Sequence, residues 1–322
     1  MREGLFIKKG KDRWEQIEQD RDVPADETAS NFTRLINDLG YAKTFYPTSK
    51  TTAYLNALAS RIYLSIYQNR RERSNRLLQF VKTDLPLIMY RHRLIMLFSL
   101  CVFAIFFSIG FFSSAHDPAF IREVMGDEYI NMTERNIEEG NPFNVYSSMS
   151  SFYMWIEIMR NNITVSIMYF FKGLFLGIPS ILSLGKESIR IGAFEQMFYA
   201  RGLGQQAIVT VLLHGILELT AIIITCGAGV VMGTSFLFPK TGTRLQAFRN
   251  GAKDGVKIIL ALVPVFIVAA FIEGYITRHY KMPLYMSLPI LLLTGGFITW
   301  YFVIFPFVVS GRQLQTARSQ HA

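Results

Sequence analysis

Apolar and polar positions divide the chain near residue 93. Before this point apolar residues recur at helical spacing among charged ones, and after it they form long runs that contain few charges. The spaced residues predict amphipathic helices, whereas the runs are too long for a soluble core. The pattern therefore predicts an all-α protein, with a helical domain at residues 1–92 followed by membrane segments.

The first 92 residues predict three or four helices. One lies around residues 13–19 and is closed by Pro24, with Trp14 and Ile17 on one face. The second carries an apolar stripe of Phe32, Leu35, Ile36, Leu39 and Ala42. The third, at residues 52–69, carries a stripe of Leu55, Leu58, Ile62 and Ile66. Stripes at this spacing are typical of a small helical core.

Five apolar segments after Arg93 are candidate membrane spans. They cover residues 94–115, 163–182, 207–231, 258–276 and 284–309. The first is uncharged and exceeds the roughly 20 residues that a helix needs to cross the hydrocarbon core. We therefore predict a first transmembrane helix at 93–115, a membrane core at 162–310 and a tail at 311–322.

The formal net charge of +9 comes mainly from the residues before the first span. The basic side chains before that span include Lys82 and the six arginines Arg70, Arg71, Arg73, Arg76, Arg91 and Arg93. Such a stretch next to a membrane helix attracts anionic lipid headgroups, so we interpret it as a membrane-surface feature rather than as a nucleic-acid site. The lipid bilayer is thus the first predicted partner.

The charges also predict an orientation. By the positive-inside rule, the arginines before the first span predict that the N-terminal domain lies on the cytoplasmic side of a bacterial inner membrane. The acidic segment at 116–161 is then expected on the outer side. Five crossings would put the C-terminus outside, yet the connection at 232–256 and the tail are basic. Either the 207–231 stretch re-enters, with a break at Gly215 or Gly227, or the charge bias is weak late in the chain. Five full spans are our expectation.

Four ionisable side chains lie inside the predicted spans. His214 and Glu218 share one face of a helix. Lys172 and Glu273 are candidate partners across the bundle or candidate members of the His214–Glu218 network, and snorkelling is the alternative for Lys172. Ionisable groups at membrane depth mark a functional site by default, although an interhelical hydrogen bond is the simpler interpretation. The sequence leaves three functions open for these residues: a proton relay, a substrate site or a metal site. With no third ligand evident, we predict neither a metal nor a cofactor.

Enzyme signatures do not appear in the sequence. It contains no Walker loop, dinucleotide fingerprint, HExxH helix or GxSxG elbow. Cys101 and Cys226 lie in apolar runs, which argues against a disulfide framework. We expect a protein that is not an enzyme, with an intramembrane acid–base pair at His214 and Glu218 as the weaker alternative.

A set of motifs in the membrane core resembles a known family. The polar ones are Asn161, Asn162, His214 and Glu218, and the glycines are Gly173, Gly177, Gly215, Gly227 and Gly229. Together they resemble the stage II sporulation protein M family, and the N-terminal segments Asp38-Leu39-Gly40-Tyr41-Ala42 and Tyr46-Pro47 are similar to its longer, non-sporulation branch. One departure is Glu187-Ser188 before Gly192, where the family commonly has Asn-Gly.

The resemblance implies a membrane platform. In spore formers the namesake localises peptidoglycan-degrading partners during engulfment, and longer relatives occur in organisms that never sporulate. Our first hypothesis is a non-enzymatic scaffold for cell-envelope remodelling, with envelope proteins as partners and homo-oligomerisation through small-residue faces. Our second is a transporter or channel-like subunit with a polar site around His214 and Glu218.

Overall fold

The computed structural model describes residues 2–19, 25–68, 76–144, 150–239, 243–279 and 281–319. These residues form helices and short connections without a β-strand, which confirms the all-α fold class. They belong to two compact units, Met1–Arg76 and Leu77–Ala322. The predicted membrane-surface residues Arg70, Arg71 and Arg73 lie outside the described residues.

The first unit is a three-helix domain. Its helices are α1 (Glu3–Gln19), α2 (Ala25–Phe45) and α3 (Lys50–Gln68). The predicted stripes supply most of its core, which consists of Phe6, Trp14, Leu35, Leu39, Ala42, Leu55, Leu58 and Ala59. Helix α1 begins about ten residues before the predicted start, because Phe6 packs into the same core. Ile36 of the predicted stripe is exposed.

Two acidic side chains tie α1 to the other helices of this unit. Asp38 of α2 accepts a hydrogen bond from Trp14 Nε1 at 2.8 Å and pairs with Arg13. Glu18 of α1 accepts hydrogen bonds from the Tyr54 hydroxyl at 2.8 Å and from Arg61 at 3.0 Å, both on α3. Asp38 belongs to the predicted family motif, and its position explains why that segment of α2 needs an acidic residue.

Four helical segments of the second unit are long and apolar enough to cross a membrane. They are Arg93–His116, Gly204–Leu237, Arg244–His279 and Leu284–Gln315. Four of the five predicted spans therefore correspond to these segments, with longer ends. The first contains α6 (Arg93–His116), and the second contains α11 (Gly204–Leu237).

The remaining predicted span, 163–182, is a helical hairpin rather than one crossing. Helix α9 (Ser151–Lys172) ends at a turn, and α10 (Ile178–Ala200) runs back from it. Gly177 in the turn has φ +81°, a left-handed conformation that glycine adopts at little cost. The uniform apolar pattern concealed this reversal, since hydropathy alone does not distinguish a straight helix from two helix ends joined by a turn.

Helix α11 is continuous over 34 residues, so the suggested break at Gly215 or Gly227 is wrong. The hairpin instead resolves the conflict between the charges and the number of crossings. At the end of the unit where α6 begins, Arg91 pairs with Asp254 of α12 (Arg244–Phe271) at 3.0 Å. Tyr90 packs edge-on against Phe307 of α14 (Phe305–Ser319), so the basic connection and the tail lie at one end.

Two short helices close the opposite end of the unit. They are α7 (Pro118–Met125) and α8 (Asp127–Glu138), which belong to the predicted acidic segment. Arg122 bonds to Glu134 at 2.8 Å, and Arg201, in the turn after α10, bonds to the same carboxylate at 2.6 Å. Ion pairing thus fastens these helices over the turn between α10 and α11.

The remaining elements complete the membrane unit. They are α4 (Arg76–Gln79), a π-helix at Phe80–Asp84, α5 (Leu85–Arg91), a π-helix at Ile272–Ile276, a 3₁₀ turn at Thr277–His279, α13 (Leu284–Ile298) and a π-helix at Thr299–Ile304. Leu85, Ile88 and Met89 are buried in the membrane unit's core. Residues 77–92, assigned from the sequence to the soluble domain, therefore pack with the membrane helices.

Candidate functional site

Three ionisable side chains from two helical segments meet inside the membrane unit. His214 and Glu218 lie one turn apart on α11, and Glu273 lies on the π-helical segment that follows α12. One ligand-type atom from each residue lies within 4.8 Å of the other two. The sequence singled out all three residues and left two sets of partners open for Glu273. The structure places Glu273 with His214 and Glu218 rather than with Lys172.

The histidine is held by a hydrogen bond from one ring nitrogen. His214 is buried, and its Nδ1 lies 3.1 Å from Thr277 Oγ1, while its Nε2 lies 3.9 Å from Glu273 Oε1. When Nδ1–H donates to Thr277, the lone pair of Nε2 faces Glu273 and the interior of the cluster. This arrangement of the imidazole suits it either to accept a proton or to bind a metal ion.

The carboxylates lie beside a buried amide. Asn162 of α9 is 5 % exposed and interacts with the Glu218 carboxylate. Its Nδ2 forms no hydrogen bond of good geometry among the described residues, and its Oδ1 accepts only a long bond of 3.5 Å from Asn161. The predicted family residue Asn162 thus faces the cluster, whereas Asn161 is exposed beside it.

The cluster brings two carboxyl groups together in a buried place. Glu218 and Glu273 repel each other when both are ionised, and Glu187 of α10, which pairs with Arg190, is the next acidic group along. Within the described residues, no lysine or arginine forms an ion pair with Glu218 or Glu273. Carboxylates close together in a medium of low dielectric are stable only with a shared proton or a bound cation.

The proposed pairing of Lys172 with Glu273 is wrong. Lys172 Nζ donates to Ser183 Oγ at 2.8 Å and lies 5.1 Å from the centre of the Tyr169 ring. It therefore links the two arms of the α9–α10 hairpin. Glu273 faces His214 instead, because the π-helical turn at Ile272–Ile276 presents it toward α11.

Family-motif glycines occupy the contact between the hairpin and α11. A Cβ on Gly173 would lie 2.3 Å from the carbonyl oxygen of Gly229, and one on Gly177 would lie 3.2 Å from Val230 Cα. A Cβ on Gly227 would meet Met96 of α6 at 2.6 Å. These positions support the prediction of close helix packing, but Gly215 has only side chains of its own helix nearby.

Sequence reasoning missed three residues that the structure brings to this region. Thr277 orients His214, Glu187 lies close enough to Glu218 to repel it, and Gly233 packs against the backbone of the hairpin turn. The four-residue spacing of Gly229 and Gly233 was a detectable signal, because it repeats the spacing of Gly173 and Gly177. Thr277 gave no comparable signal, since it follows the last apolar residue of its span.

Two of the predicted membrane-surface residues, Arg91 and Arg93, lie at the start of α6. Arg91 pairs with Asp254, and the Arg93 guanidinium lies 4.2 Å from the centre of the Tyr90 ring. Arg76 begins α4. Their contact with lipid headgroups stays a prediction.

Comparisons with known proteins agree with the architecture. The profile of stage II sporulation protein M matches residues 99–278, which include most of α6, the hairpin and the complete cluster. A domain of unknown function, DUF8413, matches residues 4–68, the three-helix unit. The uncharacterized protein MJ0706 of Methanocaldococcus jannaschii is 27% identical over 157 residues, which are 48% of this chain and 68% of that protein. No solved structure matches the chain.

The family match covers more than half of the chain and coincides with its membrane helices. The chain is a membrane protein of the stage II sporulation protein M family.

Proposed function

We propose that this protein is a non-catalytic platform in the cytoplasmic membrane that binds a partner membrane protein along helix α10. The observation that carries the proposal is an exposed charged face in the middle of that helix. Lys186 and Arg190 are exposed, and Arg190 pairs with Glu187 at 3.2 Å.

These charges lie beside the middle of an apolar helix. Gly185 packs against the Phe106 ring, and Ile189 packs against Gly110, both on the uncharged segment of α6. Lys186 and Arg190 are therefore at the depth of the hydrocarbon core. A lysine or arginine at this depth costs about 2.5–3.5 kcal/mol on insertion scales, so such residues normally face protein or water.

A partner helix with acidic or polar side chains would remove this cost. The contacts next to these charges suit a stable platform, because glycines in the α6–α10 interface allow the two helix backbones to approach closely. A Cβ on Gly110 would lie 2.2 Å from Ile189 O, and one on Gly192 would lie 2.1 Å from Phe107 O. Such close backbone packing is typical of rigid membrane bundles. A rigid α10 can present its charged face in one orientation.

The charge distribution supports an orientation for the platform. Arg91, Arg93, Arg249, Lys253 and Arg312 lie in the segments at the end where α6 begins, and the acidic helices α7 and α8 lie at the other. By the positive-inside rule the basic end faces the cytoplasm. The outward α7–α8 cap is then available to envelope proteins, as the resemblance to sporulation platforms implies.

Photo-crosslinking in cells tests the platform. A photoreactive residue at Lys186 or Arg190 should give a discrete crosslinked product of higher mass, and the matched control at Leu292, an exposed apolar residue of α13, should not. The product identifies either a partner protein or a second copy of this chain. Equal yields at all three positions, or no product at Lys186 and Arg190, would contradict the proposal.

A second candidate, transport of a cation, rests on a different observation. Glu187, Glu218 and Glu273 form a line of electrostatically interacting acidic groups from α10 to the end of α12. Transporters bind ions at midplane sites of this kind. In a background without Cys101 and Cys226, a thiol at Glu218 should react with a water-soluble reagent if the line is hydrated, whereas a thiol at buried Leu217 should not. Protection at both positions argues for the packed platform.

A further inference from the structure

We propose that His214, Glu218 and Glu273 bind a divalent transition-metal ion, with zinc as the ion that suits these donors best. The ion would join α11 to the π-helical segment after α12. This inference does not depend on the proposed platform function, since a metal ion that fixes two helices serves a platform and a transporter equally.

The donor set is the first argument. One imidazole nitrogen and two carboxylate oxygens are common zinc ligands, and three protein ligands leave a fourth position for water or another group. An imidazole ligand argues against magnesium and calcium as the bound ion, because these ions bind almost entirely through oxygen. The spacing of His214 and Glu218 by one helical turn directs both side chains to the same face of α11, as in helical metal sites.

The distances are compatible with binding. The three donor atoms lie within 4.8 Å of one another, and His214 Nε2 is 3.9 Å from Glu273 Oε1. Donors around tetrahedral zinc, with bonds of about 2.0–2.2 Å, are separated by about 3.4 Å, so a closure of up to about 1.4 Å is needed. Side-chain torsions of the two glutamates provide that movement without a backbone shift.

The surroundings of the three donors give independent support. Thr277 Oγ1 lies 3.1 Å from Nδ1 of His214, and metal-binding histidines are usually fixed by such a contact at one ring nitrogen. Asn162 is a buried amide whose Nδ2 lacks a well-formed hydrogen bond and whose side chain interacts with Glu218. Rotation of the amide by 180° would direct Oδ1 to the cluster as a further oxygen donor.

The backbone around Glu273 is also unusual. A π-helical turn at Ile272–Ile276 interrupts the α-helical hydrogen bonding, and such turns are frequent at functional sites. Gly274 in this turn lies against the Trp155 backbone, where a Cβ would be 3.1 Å from Trp155 N. The segment is thereby held against α9, close to Asn162. Two repelling carboxylates are thus held together by packing, which is unfavourable without a cation or a proton.

Metal content and thermal unfolding of the full-length protein in detergent test the proposal. The protein is stripped with a chelator, exposed to Zn²⁺ and desalted, and bound zinc is counted by mass spectrometry. One zinc per chain and a higher Tm with Zn²⁺ than with Mg²⁺ are expected, because a ligand that binds only the native state stabilises it. Absence of both retained zinc and a Tm shift would overturn the proposal in favour of a shared proton.

Variants locate the ion. Glu273→Gln and His214→Ala should each weaken zinc binding by more than about tenfold, a loss that follows even from removing an outer hydrogen-bond partner of a ligand. Glu195→Gln is the matched control, because Glu195 is a buried glutamate of α10 outside the cluster. Zinc retained at one per chain in Glu273→Gln and His214→Ala would show adventitious binding elsewhere and overturn the assignment.

Two further measurements keep the proposal testable if those variants do not fold. Thr277→Val should weaken zinc binding while Thr277→Ser preserves it, since only the hydroxyl orients His214. In the wild-type protein, Co²⁺ should give the intense visible absorption of a low-coordinate site, and stoichiometric Zn²⁺ should abolish it. A Co²⁺ spectrum no stronger than that of the free ion would count against the site.

Discussion

His214 Nε2 lies 3.9 Å from Glu273 Oε1, and this contact joins α11 to the π-helical segment that follows α12. The lysine that the sequence offered as a partner for Glu273 is engaged elsewhere, with Ser183. We therefore expect energetic coupling between His214 and Glu273, and none between Lys172 and Glu273.

Double-mutant cycles should show this assignment. For His214→Gln with Glu273→Gln, measured with chelator present, we expect a coupling energy of about 0.5–3 kcal/mol, the range for residues in contact. For Lys172→Met with Glu273→Gln the effects should add within about 0.5 kcal/mol, since the two side chains share no partner. Chemical unfolding of the four variants in each cycle provides the measurement. Coupling of Lys172 with Glu273 as strong as that of His214 would refute the geometry.

The packing of the hairpin against α11 predicts the cost of one methyl group. Gly173→Ala places a Cβ 2.3 Å from Gly229 O, so the helices must separate, and overpacking of this kind costs about 1–3 kcal/mol. Gly296→Ala in α13 is the control, because no atom lies within 4 Å of its added Cβ. It should be neutral or stabilising by up to about 1 kcal/mol through helix propensity. Equal Tm values for the two variants would contradict the close contact.

Acid should destabilise the three-helix unit through Glu18. The Tyr54 hydroxyl and the Arg61 guanidinium both donate to its carboxylate and hold the pKa of Glu18 below its ordinary value. A depressed folded-state pKa contributes stability above the unfolded-state value, about 4.3 for glutamate, and loses it as the pH falls through the folded value. Burial raises the pKa of Tyr54 to about 12, so the hydroxyl remains a donor throughout this range.

Fluorescence of Trp14 can follow this transition in the full chain. With Trp155 and Trp300 replaced by phenylalanine, the remaining tryptophan reports on the core of this unit. Tyr54→Phe removes the largest contribution and should move the acid transition to higher pH, and Glu18→Gln should flatten the pH dependence between neutrality and that transition. An acid transition unchanged by both substitutions would exclude Glu18 as its source.

The sequence predicted helices well where a segment was apolar on one face and where it was apolar throughout. Leu35, Leu39 and Leu55 occupy the core at the spacing expected, and α6 lies within one residue of its predicted ends. The reversal within 163–182 escaped prediction because both of its arms are apolar near the turn. Its signal was the pair Gly173 and Gly177, for which the sequence allowed both close packing and a break and favoured packing.

The residues of the candidate site were predictable one by one, whereas their assembly was only one of two alternatives that the sequence left open. Ionisable side chains are energetically costly at membrane depth, and this criterion singled out His214, Glu218 and Glu273. Their meeting depends on the π-helical turn at Ile272–Ile276, which changes the face on which Glu273 lies, and helical periodicity carries no sign of that turn. The hydrogen bond between His214 and Thr277 follows from the same local geometry.

The hairpin makes a definite prediction about sidedness. With α9 and α10 returning to the same end, the start of α12 and the end of α14 share the end of the unit that holds Arg91. In a background lacking Cys101 and Cys226, single thiols at exposed Asn250 and Gln315 should react from one side of the membrane and a thiol at exposed Glu139 from the other. Intact cells and inverted vesicles treated with an impermeant reagent distinguish the sides. Reaction of Gln315 from the side of Glu139 would restore five full crossings and exclude the hairpin.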